Sequence, residues 1–172
     1  GSRGFHTISK RSFQAADVIL QELPIAFLVA HRDPYWLAVV RQDVERYRPG
    51  CAWMFCLAAQ CLAESDLPLV PPTGLNPLDA EDAAKVMDLN SDCIASPGEP
   101  STAATTTARG ILKAACRLGG ADDIGFDEGR LARRLDDLAA CVAQHGFRVE
   151  DRTARPSVDA EALFYRASYI GS

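Results

Sequence analysis

The feature that most constrains this 172-residue chain is a set of short strand-like runs at both ends, separated by about 110 residues of helical sequence. Gly4 to Thr7, Val18-Ile19-Leu20 and Ile25 to Ala30 read as three short β runs, the first leaving a turn and the second ending at Pro24. Phe147 to Asp151 alternates like a half-buried strand, and Glu161 to Ile170 is apolar and aromatic. Each run is marginal alone, so the expected fold is α+β, with small β-sheets at both chain ends that must meet across a large helical insertion. A free-standing helical bundle flanked by unrelated strands is the alternative.

Residues 34–145 carry the helical patterns. Asp33-Pro34 suits an N-cap and first helical residue, with Tyr35, Leu37, Val39, Val40 and Val44 forming a partly apolar face up to Tyr47 before Pro49-Gly50. Cys51 to Ala63 is apolar nearly all round, as in a buried helix. Asn76 to Asp82 introduces a short helix through Leu89, with its acids at the positive end of the helix dipole. Ser101 leads into a helix with Ile111, Leu112, Ala115 and Leu118 on one side, stopped by Gly119-Gly120. Asp127 to Gln144 has the clearest helical period, through Leu131, Leu135, Leu138 and Val142, and His145-Gly146 ends it. The chain divides into 1–33, the helical 34–145 and 146–172.

Composition narrows the function classes. A net charge of −5 and a pI near 5.2 argue against nucleic acid as the main partner, because phosphate neutralisation needs clustered Lys and Arg. The six cysteines form no C-x-x-C pair, and Cys51, Cys56 and Cys61 turn away from one another at ~100° per residue, so they read as reduced, mostly buried thiols. His6, His31 and His145 are scattered, no phosphate-binding glycine loop is present, and no metal site is expected. With no signal peptide and no apolar run long enough for a membrane, the expected location is cytoplasmic or nuclear. The opening Gly1 reads as a removed leader, a piece of a longer protein or a cloning remnant in Gly1-Ser2, and the ending Gly171-Ser172 reads as a cut.

Arg3-Gly4 is the one terminal feature with a chemical reading, since glycine lets the backbone approach a ligand closely. Ser2-Arg3-Gly4-Phe5-His6-Thr7, an arm, and then Ala16-Asp17-Val18-Ile19-Leu20-Gln21-Glu22-Leu23-Pro24 resemble the opening of a SET domain, with its glycine turn and its strand ending in Glu-x-Pro. His145-Gly146-Phe147-Arg148-Val149 resembles the end of the helical insert in the SET-and-MYND branch. Ala162-Leu163-Phe164-Tyr165-Arg166-Ala167-Ser168-Tyr169-Ile170 looks like that branch's Gly-Leu-(Phe/Tyr)-Pro-x-(Ala/Ser)-Ser-x-(Ile/Leu) segment.

The resemblance implies small sheets around a pseudoknot, S-adenosylmethionine as methyl donor, and a protein lysine amine as acceptor. Arg3, Gly4 and Phe5 match the turn that contacts the donor, with Arg3 near its charged end, and Ser168 matches a position close to it. An apolar, tyrosine-lined channel would favour the neutral lysine amine. The chain also departs from the pattern. Gly171-Ser172 stands where the family has Asn-His-Ser-Cys, the later catalytic tyrosine has no counterpart, His145 replaces an expected Asn, Ser2 replaces the first Gly, and the zinc-binding MYND cysteines are missing. The expected protein is therefore a SET-type domain incomplete at its C-terminus, with no catalytic residue assigned and no turnover as it stands. Its partner is a lysine-bearing protein substrate. The alternative is a SET-like scaffold that meets a protein partner through helices Asp33–Tyr47 and Asp127–Gln144, with no nucleic acid and no membrane involved.

Overall fold

The structure, a computed structural model, describes residues 14, 20–29, 32–91, 93, 98–151 and 158–169, with backbone alone at 149–151 and 158. The expected strand at Gly4 to Thr7, the residues Val18 and Ile19, His6, His31 and the polar loop around Pro156 lie outside them. Leu20 is described and is not in a strand.

β1 (Ala26–Val29) is followed by five helices, α1 (Tyr35–Tyr47), α2 (Ala52–Gln60), α3 (Ala80–Ser91), α4 (Thr102–Gly119) and α5 (Glu128–His145), and then by β2 (Gly146–Asp151) and β3 (Val158–Leu163). The described strands form one antiparallel sheet in the order β1-β3-β2. β3 is central, pairing Ala26 with Leu163 on one side and Gly146 with Leu163 on the other. The expectation that the two chain ends meet across the helices holds for these segments, which join in one sheet rather than two. Glu161 to Ile170 is not one strand, however. β3 stops at Leu163, and a turn leads into a short 3-10 helix at Ala167–Tyr169.

The helices follow their sequence signals with instructive exceptions. Asp127 caps α5 by accepting from the Arg130 N–H, and Leu131, Leu135, Leu138 and Val142 are buried. Ser101 caps α4 through the Ala104 N–H, and Gly120, at φ 66°, closes it in the left-handed conformation. The buried face of α4 is made of small residues, Ala103, Ala104, Thr107, Ala108, Ala114 and Ala115 around Ile111, while Leu118 points outward, half exposed. Small side chains draw the neighbours close. A Cβ on Gly110 would lie 2.2 Å from Val40 Cγ2 of α1.

α2 is the hub, packing against α1, α4, α5 and β1, and it is buried nearly all round as its composition predicts. α1 buries Leu37, Val40 and Val44, leaving Tyr35, Val39 and Tyr47 exposed. Asp33 does not cap it, because its carboxylate accepts from Arg41 Nε at 2.8 Å.

Arg41 also links the two layers. Its guanidinium donates to both carboxylate oxygens of Glu161, at 2.9 and 3.0 Å, and Glu161 is only 1% exposed on the helix-facing side of β3. Burial alone would lower the Arg41 pKa, but the hydrogen bonds to Glu161 and the nearby acids outweigh it and hold the group charged. Replacing Arg41 with Met strands two buried carboxylates, so a loss of about 3–5 kcal/mol is expected in urea unfolding. The double variant Arg41→Met/Glu161→Met should recover part of it.

The six cysteines form no disulfide with one another; Cys56, Cys61 and Cys141 are buried, and Cys51, Cys93 and Cys116 half-buried. Burial pushes Cys56 up to about 12 against the opposing pull of Arg41, and Cys141 is pushed up to about 12 for the same first cause. Alkylation of the native protein at about pH 8 should therefore spare Cys56, Cys61 and Cys141, all of which react once the chain is denatured. Peptide mass mapping distinguishes the two sets.

Candidate functional site

Of the four residues assigned to the methyl donor, Arg3, Gly4 and Phe5 lie outside the described residues, and Ser168 is buried. The Ser168 hydroxyl is shared between two backbone carbonyls, that of Phe164 four residues earlier and that of His145, at 3.3 Å, at the end of α5. It thus joins the turn after β3 to the point where the helices give way to β2. Gly146 permits that junction, since a Cβ there would meet the Val142 carbonyl oxygen at 2.5 Å and Trp53 Cζ3 at 3.1 Å. The segment resembling the insert's end and the segment resembling the SET motif are in this way brought together.

A second tie reaches the N-terminal anchor. The Glu22 carboxylate accepts from the Arg166 N–H at 2.9 and 3.0 Å and from the Ala167 N–H at 3.1 Å. These two amides open the short 3-10 helix, so the acid satisfies donors that would otherwise lack partners. Glu22 is the acid of the Glu-x-Pro pattern, a residue to which the sequence reading attached no role of its own.

The third element was not foreseen. Tyr165 and Tyr169, four apart on either side of Ser168, meet edge to face with ring centroids 5.6 Å apart. Both phenols donate to Asp88 Oδ2 on α3, at 2.7 and 2.8 Å. Only the i,i+4 spacing of the tyrosines signalled this cluster, and nothing in the sequence pointed to Asp88.

Chemically, the region is a rigid turn held by one hydroxyl, one carboxylate on backbone amides and an acid-phenol cluster. The Ser168 hydroxyl is already engaged by two backbone carbonyls. Among the described residues no group of three or more His, Cys, Asp or Glu could hold a metal ion, and no helix is long and apolar enough to cross a membrane.

Hydrogen bonds from Tyr165 first and Tyr169 second lower the Asp88 pKa. The bond to Asp88 raises Tyr165, while burial first and Asp88 second raise Tyr169. The lowered carboxyl contributes stability above its unfolded value of about 4, lost as pH falls through the folded one. The raised phenols contribute below about 10, and that contribution is lost as pH rises through their folded values. A phenolate absorbance titration should show a fraction ionising above about 10 that Asp88→Ala moves downward.

Against protein-family models, curated proteins and solved structures alike, the chain has no match.

Proposed function

We propose that this chain builds the core of a SET-type domain whose chemistry is S-adenosylmethionine-dependent methylation of lysine side chains on a protein. The observation that carries this reading is the Glu22 clamp on the Arg166 and Ala167 amides, together with the β1–β3 ladder beside it. The segments that clamp joins are two of those on which the resemblance to SET domains rests, and the bonded residues are 144 positions apart. A fold of that type needs its early Glu-x-Pro strand and its late Ser-containing turn side by side, because the donor site draws on both ends of the chain.

When bound, the donor supplies an electrophilic methyl group. The roles of this chain's residues are narrower. Glu22 and Ser168 fix the turn, and the tyrosines hold that turn against α3. Arg3, Gly4 and Phe5 are the residues offered to the donor itself.

A scaffold that keeps this shape without turnover is the second reading, favoured by the closed hydrogen bonding of the Ser168 hydroxyl. The 172 residues hold no counterpart of the Asn-His-Ser-Cys segment or of the later catalytic tyrosine. The expected outcome is therefore donor binding without methyl transfer. Calorimetric titration of S-adenosylmethionine into the purified chain tests this, with Arg3→Ala/Gly4→Val as control. Binding that the double variant loses supports the SET reading, whereas a folded protein that takes up no heat favours the scaffold.

A further inference from the structure

The surface between α1 and α4 carries a feature that methyl transfer does not use. Tyr35, Val39, Asp43 and Tyr47 recur every four residues and form a ridge along α1, and Arg109, Lys113 and Arg117 form a second ridge along α4. Between them lies a groove of about 400 Å³ whose floor includes Trp36, Val40, Gly110 and Ala114. Tyr35 is 79% exposed and Tyr47 66%, which is high for large aromatic side chains on a helix whose opposite face is core. Gly110 lets α1 and α4 close at the floor while both ridges stand proud.

The charge of the groove is opposite to that of the protein. Arg109 is paired with Glu128 and Asp43 with Arg46, whereas Lys113 and Arg117 are exposed and in no ion pair among the described residues. A chain of net charge −5 thus presents, beside exposed aromatic rings, two cations that form no ion pair among the described residues, with Asp122, Asp123 and Glu128 lining the depression on their far side. Ridges at four-residue spacing are the surface into which another helix packs its own ridges. The α1 ridge spans twelve residue steps, from Tyr35 to Tyr47, about 18 Å at ~1.5 Å per residue, or a little over three helical turns.

We infer that the α1–α4 groove docks an acidic amphipathic helix of a partner protein. Apolar residues of that helix, spaced three and four apart, lie on Val40 and Ala114 between the tyrosines, and its Glu or Asp residues face Lys113 and Arg117. Nucleic acid fits less well, because Lys113 and Arg117, in a groove that Asp43 also lines, give little phosphate neutralisation. The docking surface is independent of whether the chain transfers methyl groups.

The test is fluorescence anisotropy with a labelled helical peptide of about 18 residues, bearing a Leu stripe flanked by Glu, against the same peptide with Lys in place of Glu. The Glu peptide should bind the wild-type chain and bind Lys113→Glu/Arg117→Glu at least about tenfold more weakly, with the Lys peptide showing the reverse preference. Circular dichroism melting checks that the double variant keeps its fold, and Lys113→Glu alone serves if it does not. Equal binding of both peptides, binding unchanged by charge reversal, no binding of either, or displacement of the Glu peptide by a single-stranded oligonucleotide would each overturn the inference.

Discussion

A buried acid on the central strand sets the terms for the rest of the molecule. Glu161 sits in β3 with a strand on each side and a helix layer over it, so its charge has to be answered from that layer. Arg41 answers it with a two-point hydrogen bond, and Asp33 takes the remaining side of the same guanidinium. Such a pair adds little net stability over well-packed apolar residues, but it specifies geometry. A slip of β3 by one residue would turn Glu161 to the other sheet face and leave Arg41 facing Ala160 or Ala162. The ion pair therefore fixes the register of the sheet and the seat of α1 together.

Around that link the packing relies on small residues. α4 offers an alanine face, α2 is enclosed on nearly every side, and Gly110 and Gly146 stand where a single Cβ would collide with a neighbour. Close approach leaves little room for adjustment, which suits a fold whose distant segments must meet at one turn. The contacts at that turn are polar and come from three parts of the chain: Glu22 before β1, Asp88 on α3 and the carbonyl at the end of α5. Each uses a backbone amide, a backbone carbonyl or a phenol, so the turn is set by hydrogen-bond direction rather than by apolar packing alone.

Much of the helical layer was legible in the sequence because helix signals are local. The Asp127 and Ser101 caps, the leucine period of α5 and the Gly119-Gly120 stop all act within a few residues of where they are written. The errors came where a distant partner decides. Asp33 before Pro34 has the form of a cap, but Arg41 competes for its carboxylate more strongly than a backbone amide. Glu161 to Ile170 reads as one apolar strand, yet β3 ends at Leu163 once Ser168, Tyr165 and Tyr169 bond to groups elsewhere in the chain. Leu118 fits the apolar stripe of α4 by period, but α4 buries its alanines and leaves that leucine outside. At the site, Ser168 and the Glu-x-Pro acid were visible as parts of patterns, whereas Asp88 and Arg41 have no signature without the fold.

α1 shows why composition alone misleads about a face. Its apolar residues exceed what one stripe can hold: Leu37, Val40 and Val44 are spaced three and four apart and fill the core, so Tyr35, Val39 and Tyr47 must fall elsewhere around the helix. Arg41 occupies a third direction, toward Glu161. A helix with no other duty would carry polar residues on the remaining side, since exposed tyrosines add nothing to folding. Here that side instead forms an aromatic ridge opposite Lys113 and Arg117, which form no ion pair among the described residues. The same helix that fixes the sheet register thus also presents the exposed face on which the proposed docking of another helix rests.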